Sequence, residues 1–294
     1  MLSLRIKDLA LTDTQNYLQH AIGPRPICFA STIDAAGNVN LSPFSFFNLF
    51  STDPAILIFS PCRRVRNNTT KHTLENIIEV PEVVVNIVTY NILHQVSLSS
   101  CEYPKGTDEF IKSGLTKIDS VCVRPPRVKE SPVQMECRVL EVKPLGTQSG
   151  AGNLVIAEIL MIHIGKEILN DKGMIDQKKL DLAARLGGNW YTRANASTIF
   201  EVEKPNTLLG IGVDGLPENI RSSTILSGND LGKLANVQEI PVINPSFEDE
   251  KLRNIFLYFS INPVDMETEL HVYAKELLQV DKITDAWQVL LAIN

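Results

Sequence analysis

The chain has 294 residues, enough to bury a sizeable core, and its 44% hydrophobic and 21% charged content is that of an ordinary globular protein. A formal charge of −6 argues against a general nucleic-acid binder, which needs a basic surface, but leaves room for one local basic pocket. Five dispersed cysteines without a CxxC pair, and histidines without HxxxH or HxH spacing, point to reduced thiols in a cytoplasmic protein and to no metal site.

Residues 1–22 lack the apolar core of a signal peptide. Asp13 can cap a helix over 15–21, which Gly23-Pro24-Arg25-Pro26 then stops. The run 27–33 sets Ile27, Phe29, Ser31 and Ile33 against Cys28, Ala30 and Thr32, the alternation of a strand. Residues 34–38, with Gly37, carry a hairpin turn signal; 39–41 restart a strand, in which Pro43 fits an edge or a bulge. Pro54 precedes 55–59, a continuous apolar run of the kind buried on both faces.

The pattern turns helical over 68–78, Pro81 marks the exit, and 83–88 is another buried strand. A second helix over 91–99, a loop at 103–106, and a short helix capped by Asp108 and ended by Gly114 follow. Pro125, Pro126 and Pro132 make 124–132 extended and irregular. Two strong strands, 133–142 and 154–164, flank a turn at 146–152. Glu158 and His163 interrupt the second, so it does not read as a membrane span. A helix is expected between Gly173 and Asn189, stopped by Gly187-Gly188, and a strand at 198–202.

Short strands with few long helices predict a mainly β chain: an antiparallel barrel with helical decorations. A doubly wound α/β sheet ranks lower, because the spacing over 27–60 leaves no room for crossover helices. A softer boundary falls near Pro205, beyond which 206–245 is rich in Gly, Asn and Pro and 252–293 regains apolar periodicity. The expected division is therefore 15–203 and a C-terminal extension, 204–294, packed on the barrel or on a partner chain.

Thr69, Thr70 and Thr73 lie at or near a helix start, where free N–H groups favour an anion; Lys71, Arg63, Arg64 and Arg66 add positive charge. The same pattern suits an N-capped surface helix beside a solvated basic run. Hydroxyls of Ser31, Thr32 and Ser45 and the Asn48 amide could meet the polar edge of a flat ring, with Phe46 or Phe47 as a wall. The alternative is an aromatic-rich core whose hydroxyls bond the backbone. His163, on a strand with two largely apolar faces, is either a satisfied core residue or a cavity-facing proton donor. Gly187-Gly188 is either ordinary helix C-cap chemistry or a turn that lets backbone approach a ring. Cys62, beside the basic loop, reads as an inert thiol before a reactive one. The glycines at 210–215 lack GxGxxG spacing and run into Pro217, so they do not form a dinucleotide loop.

Together these segments resemble the flavin reductase-like family with an FMN-binding split β-barrel, the group that includes flavoredoxins. The likeness is carried by RPI at 25–27, ST at 31–32, NLSPFSFFN at 40–48 and FSPCRRVRNNTTKHTLEN at 59–76. It continues through VVVNIV at 83–88, ESPVQMECRV at 130–139, NLVIAEILMIHI at 153–164 and RLGGNWY at 185–191. The resemblance implies a Greek-key split barrel and a homodimer, with one FMN per barrel close to the dimer interface. It places Ser31, Thr32, Ser45, Phe46, Phe47 and Asn48 at the ring, the phosphate on the segment 63–73, with Arg63, Arg64 and Thr70 and chiefly Lys71 and Thr73, and Ser60 as a further cofactor-binding residue. His163, Gly187 and Gly188 come near the pocket, and His163 is the one candidate catalytic group. The implied activity is an oxidoreductase that accepts hydride from NAD(P)H at flavin N5 and passes electrons to flavin or to another small-molecule or protein acceptor. The alternative is an FMN-bound electron-transfer protein without NAD(P)H reductase activity of its own. Neither nucleic acid nor membrane is an expected partner. The insert at 101–132 and the tail beyond 205 depart from the short two-component reductases and could cover the site.

Overall fold

A helix, α1 (Leu11–Ala21), leads into the first strands of the computed structural model, which describes residues 1–202 and 208–292. Its N-cap is Ala10, so the helix begins ahead of Asp13, which lies in the first turn. Strands β1 (Cys28–Ile33) and β2 (Val39–Phe44) form an antiparallel hairpin. Its turn is held by Asp34, whose carboxylate accepts the Asn38 N–H at 2.8 Å, while Gly37 supplies the left-handed φ of +88°. Strands β3 (Phe47–Thr52) and β4 (Ala55–Phe59) form the next pair.

Helix α2 (His72–Glu79) starts later than the expected 68–78. The reason is local: Asn68 adopts φ +55° and donates its N–H to the Arg64 carbonyl at 2.9 Å, closing 64–69 into a loop of its own. Strand β5 (Glu82–Ile87) and helices α3 (Leu93–Leu98) and α4 (Glu109–Ser113) follow. Asp108 caps α4, and Gly114 ends it at φ +67°. The short pair β6 (Lys117–Ile118) and β7 (Arg127–Val128) precedes a long hairpin, β8 (Val133–Pro144) and β9 (Asn153–Ile164). The expected helix over 173–189 is only one turn, α5 (Gln177–Leu180). Asp181 breaks it at φ +51°, and β10 (Leu182–Arg185) then pairs with β11 (Tyr191–Ala194). Residues 198–202 form no strand, because Thr198 turns its hydroxyl and N–H back onto Arg193 and Asn195.

The first five strands and the β8–β9 hairpin form one antiparallel sheet in the order β2-β1-β5-β8-β9-β4-β3. Its two edge strands, β2 and β3, are joined through Ser45 and Phe46 alone. Laid flat, edges separated by six strand spacings would stand roughly 29 Å apart, whereas so short a link spans at most about 11 Å. The sheet must therefore curl, which brings the end of β2 and the start of β3 together at Ser45 and Phe46, with no ladder pairing between the two strands among the described residues. Inside the curl lies a core of Cys28, Ala30, Phe44, Leu57, Phe59, Ile77, Val83, Val85, Met135, Cys137, Val139, Val155 and Ala157. On the outer face, Phe29 and Leu41 pack with Ile92, Val96 and Phe110 from the α3 and α4 region. This is a mainly β fold with helical decorations.

The strand expected to be buried on both faces, 55–59, is not, and the largely apolar faces of 154–164 are not both covered. In β4 only Leu57 and Phe59 are buried, and in β9 Leu160, Ile162 and Ile164 are exposed. β4 pairs with β9 only across residues 155–158, which leaves the far half of β9 without that neighbour.

The chain divides into two compact units, Met1–Phe200 and Glu201–Asn294. The expected boundary at 203/204, and Pro205 as its marker, lie outside the described residues. The second unit is helical where described: α6 (Glu218–Arg221), α7 (Gly228–Ala235), α8 (Glu250–Phe259), α9 (Pro263–Gln279) and α10 (Ile283–Leu291). Ser227 and Asp230 form a capping box on α7, and Asn262 caps α9 ahead of Pro263. Its core centres on Trp287, fully buried, whose indole N–H donates to the Leu234 carbonyl at 3.2 Å. Among the described residues no helix is long and apolar enough to cross a membrane.

Candidate functional site

Where the sheet closes there is a cavity of about 630 Å³. Its walls come from three short pieces of chain and three single residues. Helix α1 contributes Leu11, Thr14, Gln15, Leu18 and Gln19; the closure contributes Pro43, Phe44, Ser45 and Phe46. The loop after β4 contributes Ser60, Cys62, Arg63, Arg64, Val65 and Arg66, and Lys71, Glu102 and Gly150 complete the lining. Leu11, Leu18, Phe44, Phe46 and Val65 give the lining its apolar groups and Arg63, Arg64, Arg66 and Lys71 its cationic ones, with Glu102 as the single acid in the lining.

Arg25 positions the α1 wall. It is buried, and its guanidinium donates to the carbonyls of Gln19 at 2.6 Å, Ile22 at 2.5 Å and Leu186 at 2.9 Å, and to Ser45 Oγ at 3.4 Å. These bonds tie the end of α1 to the closure of the sheet. Burial, and then the neighbouring Arg185, lower the Arg25 pKa from its ordinary value. Gly187 supports the same helix from behind: a Cβ there would stand 2.2 Å from the His20 ring. At the closure, Ser60 Oγ accepts the Asn153 N–H at 3.1 Å, an approach open only because Gly152 carries no Cβ, which would lie 2.7 Å from that oxygen.

The cations differ in how far the protein already engages them. Arg63 donates to Asn68 Oδ1 at 2.7 Å and to the Asn68 carbonyl at 2.5 Å. Arg64 donates to Thr69 Oγ1 at 2.9 Å and to the Thr70 carbonyl, and its Nε lies 3.7 Å from Glu102. Arg66 is exposed and pairs with Glu102. Lys71 forms no ion pair among the described residues, although burial, and then Arg64, lower its pKa. It stands at the N-cap of α2, where no side-chain capping bond is made, while its carbonyl accepts the Leu74 N–H at 3.0 Å. Past Arg64, Lys71 and Glu102 the space narrows to a polar cleft of about 20 Å³. Burial pushes the Cys62 thiol up, which disfavours its nucleophilic form.

Of the residues expected from sequence, the structure brings Ser45, Phe46, Ser60, Arg63, Arg64 and Lys71 together on this cavity, with Thr73 lining the narrow cleft. Others lie elsewhere in the chain. Ser31 and Thr32 are fully buried; Thr32 accepts from the Asn76 amide at 3.2 Å, and Ser31 Oγ has no partner. Phe47 packs on the inner core, Asn48 is exposed and accepts the Leu49 N–H, and Thr70 donates to Glu75 at 2.7 Å. Gly187 and Gly188 face His20 behind α1. His163 bonds Glu136 at 2.7 Å and is not in the cavity lining. Sequence reasoning missed Arg25, Glu102 and the α1 wall. Arg25 had a signal in the RPI motif; the amphipathic spacing of Leu11, Leu18 and Gln19 was the other clue.

This arrangement has relatives. The flavin reductase like domain model matches residues 22–180, and the chain belongs to that family. An uncharacterized protein of Halalkalibacterium halodurans is 32% identical over 206 residues, 69% of this chain and 97% of that one. Among solved structures, component B of nitrilotriacetate monooxygenase from Bacillus cereus is 29% identical with a TM-score of 0.64, covering 69% of this chain and 98% of the other. A Shewanella frigidimarina protein with a split barrel domain is 24% identical, with a TM-score of 0.58 over 68% of this chain and 96% of its own, and shows the fold. The family match ends before the helical unit begins.

Proposed function

We propose that the barrel unit binds FMN in the cavity at the sheet closure and works as a flavin-dependent oxidoreductase with NAD(P)H as reductant. The supporting observation is the make-up of the cavity lining: apolar groups suited to a tricyclic ring together with cationic groups, of which Lys71 lacks an acidic partner among the described residues. When bound, the flavin supplies the two-electron chemistry.

The chain's own part is binding and exclusion. Leu18, Phe44 and Phe46 wall the ring, and the hydroxyls of Ser45 and Ser60 meet its polar edge. Lys71 and Arg64 hold the phosphate, and α1 shields the ring from bulk water. No side chain in the lining needs to act as a covalent catalyst. A homodimer in the cytoplasm, with electrons passed to a small-molecule or protein acceptor, completes the reading. The likeness to a monooxygenase component favours a protein acceptor or a second flavin over a role confined to this chain.

Titration by flavin fluorescence tests it. FMN should bind, and Lys71→Ala should weaken FMN by roughly ten- to a hundredfold, the value of a charge-assisted bond of about 1.5–3 kcal/mol, while riboflavin changes little. Equal losses for both ligands would remove Lys71 from the phosphate. Anaerobic bleaching on adding NADH or NADPH is expected; a flavin that stays oxidised with either would leave the carrier role instead.

A further inference from the structure

Glu102 is the single acid in the lining of a cavity that holds three arginines and a lysine. It reaches two of the lining arginines: Oε1 lies 3.7 Å from Arg64 Nε, and Oε2 pairs with Arg66. It also lines the narrow cleft together with Arg64, Lys71 and Thr73, so it borders both spaces. The carboxylate is not built into the core. Its side chain is 44% exposed, and its one hydrogen-bonded partner, Arg66, is 77% exposed. Glu102 is the second residue of the 101–132 insert and follows the exposed Ser100 and Cys101.

A carboxylate and a phosphate present the same chemistry to a guanidinium: oxygen acceptors with negative charge. Two such anions cannot share Arg64 and Arg66 without like-charge repulsion. We propose that Glu102 is a built-in counter-ion that competes with a ligand phosphate for Arg64 and Arg66, and so sets how strongly the site prefers phosphorylated over unphosphorylated flavin. The inference rests on the phosphate end of the FMN reading. Without ligand, Glu102 neutralises the mouth of the cavity; with ligand, it swings to solvent along the side on which it is already exposed. Its cost falls on FMN and spares riboflavin, which has no phosphate.

The test uses the full-length protein and Glu102→Gln, which keeps shape and removes charge. Dissociation constants for FMN and riboflavin are measured, together with competition by inorganic phosphate. The expected result is a rise of about tenfold in the FMN-to-riboflavin preference and stronger competition by phosphate, with riboflavin affinity and melting temperature unchanged. Glu102→Asp, shorter but charged, should fall between. A preference that stays the same or falls in Glu102→Gln overturns the inference while the FMN reading stands. If the wild-type protein binds both flavins equally, the phosphate end of that reading fails. Glu102 is then judged on inorganic phosphate alone, and no tighter binding of it by Glu102→Gln overturns the counter-ion role.

Discussion

Two charge clusters lie in the barrel unit, and they are built on opposite terms. Around Glu136 the charges are closed on themselves. Its fully buried carboxylate accepts the backbone N–H groups of Val121 at 2.9 Å, Cys122 at 2.5 Å and Val123 at 3.3 Å, bonds His163 at 2.7 Å and lies 3.8 Å from Arg127. Around the cavity, three arginines and a lysine face one acid. Burial and hydrogen bonding complete the first cluster without any other molecule, so it holds structure. The second is left with more positive charge than the described residues balance, and the proposed phosphate site rests on that excess.

The contrast can be broken at its strongest point first. Glu136→Ala strips the acceptor from several N–H groups and from His163, and should destabilise the unit by roughly 3–5 kcal/mol, read as a lower Tm or denaturation midpoint. A loss under about 1 kcal/mol would mean the cluster is not what holds the 119–123 loop. Arg25→Ala comes next. It frees the end of α1, so FMN and riboflavin should weaken together, by about tenfold, unlike the selective loss expected at Lys71. Gly187→Ala, which presses on His20, should act in the same direction and less strongly; selective loss of FMN in either variant would deny them a positioning role.

The smallest effect is in pH. Burial raises the Glu136 pKa, but the Val121 and Cys122 N–H groups and His163 more than offset it, and the carboxyl ends below the ordinary glutamate range. A depressed carboxyl contributes stability that is present above its unfolded pKa, near 4.3, and is lost as pH falls through the folded value. Wild-type stability should therefore decline below about pH 4, and Glu136→Gln should flatten that acid limb. An unchanged acid limb in the variant would place the titration elsewhere.

How much of this was legible in the sequence depended on whether the signal was local. The hairpin at Asp34–Asn38, the Asp108 cap and the β8–β9 pair were readable because turn residues and alternation lie within a few positions. The cation-rich loop was readable for the same reason. Helix 173–189 was not, because its apolar spacing also fits a one-turn helix followed by a strand, and Asp181 decides between them through a backbone angle that composition does not encode. Arg25 and Glu102 were missed because their roles depend on partners at Leu186 and Arg66, which only the fold brings near. His163 was ambiguous for the opposite reason: one partner, Glu136, settles where it is held.

The two-residue join at Ser45 and Phe46 carries one more consequence. It is both the rim of the cavity and the only covalent strap between the two free edges of the sheet. A molecule gripped there acts as a rivet across the slit. Loading the cavity should slow amide exchange along β2 and β3 at once, although those strands share no ladder hydrogen bonds, while the interior ladder of β5 and β8 hardly changes. Occupancy would thus be written into the stiffness of the outermost strands, so the unit's susceptibility to proteases reports how full it is.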